Sequence, residues 1–412
     1  MSAYACEPNK GSEPGVGWGM AQLMAKYHDV WVLTRANNYS AIQAHLDLHP
    51  SNTLHFVYFD LPSWLRWWKR GAKGVQLYYY LWQVGIYFIA RRLQRTVPFD
   101  IVHHITFGRF WSPSLISLLP VPFIWGPVGG GESSPTAFWK TFGWKGVCYE
   151  VVRDCARWFG KHDPLVRLTA KQSVLALATT DETAEQLRKL GCRNVRTVTQ
   201  CSIHKDLFRK LSTLPAQESQ TVRFISIGRP LHWKGFSLAI KAFAASRLNN
   251  AEYWLILNGG DAQPLELLVE TLGIQDRVRI IRRLPTLDAV YSALGECHVL
   301  IHPALHEAFG NVVLEGMAAG KPVICLDLGG PSTQVTQETG IKIPAHTTEQ
   351  VVQELSAAMI KLAKDSTLRK QMRNAALDRV AFEYVADQVG QKLNSFYTEV
   401  RHSFHVKSQQ SL

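Results

Sequence analysis

Short β-branched runs alternate with longer helical patterns along this 412-residue chain, and this alternation constrains the fold more than any other feature. It predicts parallel strands joined by helical crossovers. Two consecutive series predict an α/β protein with two doubly wound, Rossmann-like domains that face each other across a cleft. The predicted strands cover residues 30–34, 54–59, 100–105, 121–126, 174–179 and 195–200 in the first series, and 222–228, 253–259, 278–283, 298–303, 322–327 and 340–343 in the second.

The boundary between the domains is predicted where the chain turns polar and irregular, in SIHKDLFRKLSTLPAQESQ at 202–220. We therefore expect an N-terminal domain over residues 1–205 and a C-terminal domain over residues 206–385. The helical pattern at the end of the chain, residues 386–412, is predicted to cross back to the first domain. With 46% apolar residues, the chain can bury a core in each domain.

Cysteine and metal-ligand patterns favour no metal site and no disulfide framework. The seven cysteines are scattered without a CxxC pair, so they are expected to be reduced thiols in a cytoplasmic protein. No DxD motif follows a predicted strand, and the fifteen histidines show no convincing HxxxH pair. The first residues, MSAYACEPNKGSEPG, lack the apolar region of a signal peptide. Neither a metal nor another cofactor is expected.

The net charge of +12 implies an acidic partner. Nucleic acid is not favoured, because the sequence has no helix-turn-helix and no platform of interleaved aromatic and basic residues. Residues 63–95 instead concentrate tryptophans and tyrosines between lysines and arginines. This composition predicts contact with an anionic membrane surface, on the inner face of the membrane. A buried helical hairpin with basic ends is the alternative.

Carboxylates bracket a predicted helix start in HEAFGNVVLEGMAAGKPV at 306–323. In doubly wound sheets, ligands bind beyond the carboxyl ends of the strands, and Glu307 follows the predicted strand 298–303. The amides of a helix starting near Gly310 form an anion site. Glu315, one turn further in, presents a carboxylate able to accept two hydrogen bonds from a ribose diol.

Positive charge for the same region comes from GRPLHWKG at 228–235, directly after a predicted strand. Arg229 and Lys234 can neutralise a diphosphate and stabilise it as a leaving group. Small residues in NGGD at 258–261, including Gly259, would let a base or ribose lie flat.

Taken in order, GRxxxxKG, a glycine-rich strand end, E-x7-E and GxPV resemble glycosyltransferase family 4, group 1 glycosyl transferases of the GT-B fold. AYACEPNKGSEPGVGW and GPVGGGE (126–132) resemble a bacterial subgroup of that family. The resemblance covers essentially the whole chain. It implies a retaining, metal-free transfer from a nucleotide-sugar donor.

The resemblance also implies roles for individual residues. Arg229 and Lys234 would contact the donor phosphates, Glu307 the transferred sugar and Glu315 the ribose. A capping or ion-paired structural role is the alternative for each. The remaining residues assigned to donor binding are Gly259, Phe309, Gly310 and Asn311.

In the first half, the resemblance places the glycine-rich loop GSEPGVGW (11–18) near the donor phosphates and the acceptor. Gly15 and Gly17 would allow that close approach; a simple turn is the alternative. One of His103 and His104 would lie at the acceptor pocket, and we favour His104 as catalytic, against a core histidine. The family begins with an apolar strand before this loop, whereas MSAYA supplies only a stub. We therefore expect the first sheet to lack an inner strand, or the start of the chain to be late.

The predicted function is transfer of a sugar from a nucleotide donor to a lipid-linked or polysaccharide acceptor in cell-surface polysaccharide biosynthesis, by a cytoplasmic protein at the membrane surface. A sugar-nucleotide epimerase of the same fold, and a non-catalytic donor-binding subunit of a polysaccharide assembly complex, are the alternatives.

Overall fold

The computed structural model of the protein describes residues 1–69, 71, 73–200, 202–215 and 219–410. The chain forms two compact units. The first contains Met1–Gly131, Arg153–Gln200 and Val389–Leu412, and the second contains Glu132–Val152 and Cys201–Gln388. Each unit is built around a parallel sheet, so both predicted series of strands are confirmed, with ends that shift by a few residues.

The first unit has a seven-stranded sheet with the order β3-β2-β1-β4-β5-β6-β7. Its strands are β1 Ser2–Ala3, β2 Val30–Thr34, β3 Leu54–Tyr58, β4 Val102–Thr106, β5 Phe123–Val128, β6 Ser173–Ala178 and β7 Val195–Thr197. The stub predicted in MSAYA is the two-residue β1. Its Ser2 pairs with Leu33 on one side and with His104 on the other, so β1 occupies the inner position of the sheet. The expectation that the first sheet lacks an inner strand is therefore wrong.

The second unit has a six-stranded sheet with the order β10-β9-β8-β11-β12-β13. Its strands are β8 Val222–Gly228, β9 Ala251–Leu257, β10 Val278–Ile281, β11 Val299–His302, β12 Val323–Leu326 and β13 Gly340–Ile343. The order of the strands reverses between β8 and β11, which pair in parallel. Such a reversal opens a crevice at the carboxyl ends of the two strands, where ligands of doubly wound sheets bind.

Helices connect the strands as the crossovers predict. Along the chain they are α1 Ser12–Met24, α2 Tyr39–Leu48, α3 Ser63–Arg66, α4 Val75–Leu93, α5 Gly143–His162, α6 Pro164–Gln172, α7 Asp181–Leu190, α8 Lys205–Ser212, α9 Phe236–Ser246, α10 Gln263–Thr271, α11 Leu287–Glu296, α12 Asn311–Ala318, α13 Gly329–Gln334, α14 Thr348–Lys364, α15 Ser366–Arg379 and α16 Ala386–Gln410. None of the helices in the described ranges has the length and apolar character needed to cross a membrane.

The segment Glu132–Val152 was predicted to belong to the N-terminal domain, residues 1–205. In the structure it clusters with the second unit instead. The physical reason is apolar burial. Phe138 and Phe142 pack into the core cluster that holds Phe224 of β8 and Phe243 of α9. Aromatic side chains of this size stabilise a core by a few kcal/mol each, about 3–5 kcal/mol when lost to alanine.

Candidate functional site

The loops that follow β8 and β11 bring two of the predicted site residues into contact. Lys234 lies after β8, and Glu307 lies after β11. The Lys234 ammonium donates a hydrogen bond to the Glu307 carboxylate and forms an ion pair with it. This pair therefore lies at the strand-order reversal, at the carboxyl edge of the second sheet.

The β8 loop is packed tightly against the β11 loop, and Gly235 makes this possible. Gly235 has a φ of +65°, and a Cβ at this position would lie 1.9 Å from the Pro303 carbonyl oxygen. The Leu305 amide donates to the Trp233 carbonyl at 2.7 Å. Because the two backbones are in close contact on both sides of Lys234, the backbone at Lys234 is held against the loop that carries Glu307.

A third loop supports Glu307 from its backbone side. The Gly330 amide in α13 donates to the Glu307 carbonyl at 2.8 Å. Gly329, which has a φ of +57°, would place a Cβ 2.3 Å from the same oxygen. The loops after β8, β11 and β12 thus converge on one carboxylate-bearing residue, which holds that carboxylate at the edge of the sheet.

His302 is a residue of this site that sequence reasoning missed. It ends β11, is buried, and its Nε2 lies 3.8 Å from the Glu307 carboxylate. Burial and the nearby charge of Lys234 hold its pKa well below the usual value, so the imidazole is neutral at pH 7. Its place at the carboxyl end of a predicted strand, in HVLIHP, was the available signal.

The start of α12 has the form of an anion site. Gly310 precedes the helix in the left-handed conformation, with a φ of +66°, and as a glycine it supplies no side-chain cap. The helix dipole favours negative charge at this end. Phe309 is held by a hydrogen bond from the Gln334 amide to its carbonyl, and Asn311 is the exposed first residue of the helix.

Glu315 lies on the second turn of α12 and is half-buried. Burial raises the pKa of its carboxyl group to about 7. No hydrogen bond or ion pair joins it to Arg229 or Lys234 among the residues that the structure describes. Its carboxylate is therefore desolvated when ionised, and two hydroxyl donors from a diol would stabilise the charged form.

Arg229 and Gly259 follow neighbouring strands of the same sheet. Arg229 is exposed directly after β8, and Gly259 lies two residues after β9 with a φ of +76°. The ends of these strands are joined by the Asn258 amide, which donates to the Gly228 carbonyl at 2.9 Å. Both residues lie at the carboxyl edge that carries Lys234 and Glu307.

Glu132–Val152 contributes a further polar cluster that the sequence did not predict. Glu150 is buried and accepts a hydrogen bond from His232 at 3.0 Å, and its carboxylate lies 3.7 Å from His306 Nδ1. Trp233 stacks between Tyr149 and His306, with ring centroids 5.1 and 5.0 Å away. These contacts join the β8 and β11 loops a second time, through residues that directly precede Lys234 and Glu307.

In the first unit, Gly15 and Gly17 lie inside α1. The prediction of a loop over residues 11–18 is wrong, because α1 already begins at Ser12. A Cβ at either position would lie 2.1 Å from a backbone carbonyl, of Lys10 for Gly15 and of Ala5 for Gly17. The glycines therefore allow close packing of the chain on itself.

Both candidate histidines of the first unit are buried within β4. His103 contacts the Tyr397 hydroxyl at 2.5 Å and the Gly126 carbonyl, and burial lowers its pKa to about 3. Burial lowers the pKa of His104 to about 4. His104 ring nitrogens have no side-chain hydrogen-bond partner in the described structure. His104 lies inside the strand, not at its end, so its predicted acceptor role stays a prediction.

The aromatic segment 63–95 forms α3 and α4, with Arg70 and Ala72 outside the described residues. One face of α4, including Tyr79 and Trp82, is part of the first unit's core. The other side of the segment exposes large apolar side chains, among them Trp64, Trp67, Leu77, Val84 and Phe88. The segment is thus both a core element and an exposed aromatic surface, and contact with a membrane stays a prediction.

Comparison with solved structures defines the class of fold. The glycosyltransferase WaaG, involved in lipopolysaccharide biosynthesis, covers 97% of this chain and 100% of its own with a TM-score of 0.58 and 17% identity. Anabaena Alr3699/HepE in complex with UDP covers 95% of this chain and 98% of its own, with a TM-score of 0.63 and 15% identity. The predicted α/β class, of the GT-B type, is confirmed.

Sequence comparison gives a family match for part of the second unit. Residues 215–379 match the family described as Glycosyl transferases group 1. The lipopolysaccharide core biosynthesis glycosyltransferase LpsD of Rhizobium meliloti is 33% identical over 148 residues, which make up 36% of this chain and 41% of LpsD. The chain thus spans about two fifths of this relative. The match of residues 215–379 to the group 1 family agrees with the predicted resemblance, and the assignment to family 4 stays a prediction.

Proposed function

We propose that the protein is a retaining glycosyltransferase that moves a sugar from a nucleotide-sugar donor to a lipid-linked or polysaccharide acceptor in cell-surface polysaccharide biosynthesis. The observation that carries this proposal is the Lys234–Glu307 ion pair at the junction of β8 and β11. It places a cation and a carboxylate together where ligands of this fold bind. The group 1 match and the relative named for lipopolysaccharide core biosynthesis support the same reaction class.

In this proposal the donor diphosphate lies between Arg229, Lys234 and the amides at the start of α12. Phosphate oxygens would compete with Glu307 for the Lys234 ammonium, because charge-assisted hydrogen bonds to phosphate are strong. As the bond between sugar and diphosphate breaks, the negative charge that develops on the leaving group is stabilised by these cations and amides. The reaction then needs no bound metal ion.

The two carboxylates have separate tasks in the proposal. Glu307, released from Lys234 by the phosphates, would accept hydrogen bonds from hydroxyl groups of the transferred sugar. Glu315 would accept two hydrogen bonds from the ribose, which would stabilise its ionised form in a half-buried position. Asn311, Phe309 and Gly259 complete the donor surface at the same edge of the sheet.

The exposed face of segment 63–95 supports a location at a membrane surface. Leu77, Val84 and Phe88 lie along one side of α4, and Arg91 and Arg92 occupy its last turn. Apolar side chains beside cations suit the interface of an anionic bilayer. We propose that the protein acts at the cytoplasmic face of the membrane, where a lipid-linked acceptor would be presented.

Substitution of Glu307 tests the function directly. Purified protein is given a panel of nucleotide sugars with a membrane extract, and sugar incorporated into lipid or glycan is measured. We expect Glu307→Gln to reduce turnover by about 10²-fold or more, as loss of a transition-state contact does. Glu270→Gln, an exposed carboxylate on α10, is the control.

Three results would count against the proposal. Full turnover by Glu307→Gln would contradict the assignment of Glu307 to the active site. Conversion of the donor without any acceptor would favour an epimerase. Donor binding without turnover on any extract would favour a non-catalytic donor-binding subunit.

A further inference from the structure

A second concave site of the second unit lies at the opposite edge of its sheet, away from Lys234 and Glu307. Gln220 precedes β8, His298 immediately precedes β11, and Lys321 precedes β12. Because β8, β11 and β12 are parallel neighbours, the residues before them lie together at the amino-end edge. Here they line a cavity of about 430 Å³, whose far wall is formed by α15.

The lining of this cavity is strongly basic. Lys321 and His298 come from the sheet edge, and Arg369, Lys370 and Arg373 come from α15. Within the described part of the chain, no carboxylate lines the cavity. Lys321 is 2% exposed and donates to the Gly295 carbonyl at 3.2 Å, without an ion pair among the described residues. Buried charges in proteins are usually paired, so a bound anion would stabilise the charged form of this lysine.

His298 adds a hydrogen-bond donor, its Nε2, that has no acceptor among the described residues. It is 7% exposed, and its Nδ1 accepts a hydrogen bond from the Arg223 amide at 3.0 Å. The other nitrogen, Nε2, therefore carries the proton of the neutral ring. Across residues 1–69, 71, 73–200, 202–215 and 219–410, Nε2 has no hydrogen-bond partner. Burial, followed by the charges of Arg369, Lys321 and Arg223, lowers the pKa of this imidazole to about 4, so it stays neutral at pH 7.

The arginines keep donors available while their position is fixed. Arg369 donates to the carbonyls of Leu362 and Ala363 at 2.5 and 3.0 Å. Arg373 donates to the carbonyls of Ala319 and Leu214 at 3.3 and 3.0 Å. A guanidinium has five N–H groups, so each arginine retains donors beyond these bonds. The cavity is thus lined by oriented donors of positive charge.

We propose that this cavity binds a small phosphate-bearing anion, at a site distinct from the donor site. A phosphate group accepts several hydrogen bonds and pairs with arginine in two-pronged fashion. The cavity volume exceeds that of a phosphate group alone and falls in the range of small-molecule sites. The ligand is therefore a phosphate ester of sugar or nucleoside size, or free phosphate itself.

Calorimetric titration tests the site with defined probes: inorganic phosphate, a hexose phosphate, a nucleoside monophosphate, and sodium chloride at matched ionic strength. We expect saturable binding of phosphate, with Arg369→Gln weakening it about tenfold or more, the loss expected for a charge-assisted bond. Lys370→Ala, on the exposed side of α15, should weaken it as well and serves if Arg369→Gln does not fold. Tighter binding of one ester than of phosphate identifies the ligand class.

Two control variants separate this site from the donor site and from general charge. Lys234→Ala removes the donor-site cation, and Lys361→Ala removes an exposed cation of α14. Lys361→Ala should leave the affinity for phosphate unchanged, and in Lys234→Ala the binding component that Arg369→Gln weakens should persist. Loss of that component in Lys234→Ala, an equal response to chloride, or unchanged affinity in both Arg369→Gln and Lys370→Ala would overturn the proposal. The proposed glycosyl transfer is not affected by any of these outcomes.

Discussion

The ammonium of Lys234 is paired with the carboxylate of Glu307, 73 residues further along the chain, where the loops after β8 and β11 meet. The pair answers a question that the sequence raises, since nothing next to Glu307 in the chain neutralises it. Its partner comes from the other side of the strand-order reversal. Lys234, which would bind the donor diphosphate, and Glu307, which would bind the transferred sugar, thus hold each other in place.

Removal of Lys234 is expected to reduce catalysis far more than stability. Lys234→Ala should lower kcat/KM by about 10²–10³-fold, because a charge-stabilising donor to the leaving group is lost. The measurement is steady-state turnover with the preferred nucleotide sugar, beside thermal unfolding of the same sample. Lys241→Ala, an exposed lysine on α9, is the matched control and should retain turnover. Turnover of Lys234→Ala equal to that of the control would contradict the role in donor binding.

Glu315 is expected to make stability depend on pH. Its pKa of about 7 in the folded protein lies above the usual value of 4.5 for a glutamate, so the fold favours the protonated form. The stability that this group contributes is present below about pH 4.5 and is lost as the pH rises through 7. Glu315→Gln, which stays neutral, should therefore raise the free energy of unfolding at pH 8 by about 1–3 kcal/mol, at about 1.4 kcal/mol per pKa unit and allowing for partial exposure.

Denaturant unfolding at pH 5 and at pH 8 measures this effect. The gain from Glu315→Gln should be much smaller at pH 5, where the folded carboxyl group is already protonated. An equal gain at the two pH values would show that the effect does not arise from titration of Glu315. Donor affinity should fall in the same variant, because the amide accepts ribose hydroxyls less well than a carboxylate does.

Gly235 is expected to tolerate no side chain. Gly235 and Gly273 have nearly the same backbone angle, with φ of +65° and +64°, but a Cβ on Gly273 would meet nothing within 4 Å. Gly273→Ala should therefore cost only the backbone strain, about 1–2 kcal/mol. Gly235→Ala adds a clash with the Pro303 carbonyl and should cost about 2–5 kcal/mol in all, by the usual range for overpacking.

The two glycine variants are compared by denaturant unfolding and by turnover. Gly235→Ala should also lose activity, since its backbone shift moves Lys234, whereas Gly273→Ala should keep it. Equal destabilisation by the two variants would mean that the β8 and β11 loops separate without cost.

The exposed tryptophans of segment 63–95 are expected to hold the protein on anionic membranes. Trp64 and Trp67 are 69% and 75% exposed. The double variant Trp64→Ala and Trp67→Ala should lower the vesicle partition coefficient about tenfold or more. The reason is that less apolar surface is transferred from water into the membrane. The assay is co-sedimentation with phosphatidylglycerol-containing vesicles, and binding should weaken with salt.

A matched control comes from the second unit, where Trp144 is 74% exposed. Trp144→Ala should leave partitioning unchanged. If it reduces partitioning as much as the double variant does, the membrane surface does not lie in 63–95.

Much of the fold was predictable because its strands are continuous apolar runs. For β8 the predicted and observed residues, 222–228, are the same. The start of α1 was missed, since Pro and Gly in SEPGVG favour a loop. Pro14 is nevertheless compatible with a first helical turn, where its missing amide has no partner to lose. The two glycines are compatible because α1 packs closely on backbone carbonyls.

For the site, sequence patterns identified residues but not their partners. Lys234 and Glu307 were predicted from motif spacing, while their direct contact is set by tertiary packing. His302 and Glu150 were missed because neither belongs to a motif. Glu150 reaches His232 because Phe138 and Phe142 anchor the Glu132–Val152 segment in the core of the second unit. Contacts that depend on such distant segments carry no local sequence signal.

The same segment determines how the protein can be divided. A fragment excised as 201–388 would contain the whole group 1 match, 215–379, but would lack Phe138 and Phe142. Without these two rings, the apolar surface beside Phe224 and Phe243 would be exposed to solvent. Such a fragment would tend to precipitate, so grafting or isolating this half of the molecule requires Glu132–Val152 to be supplied with it.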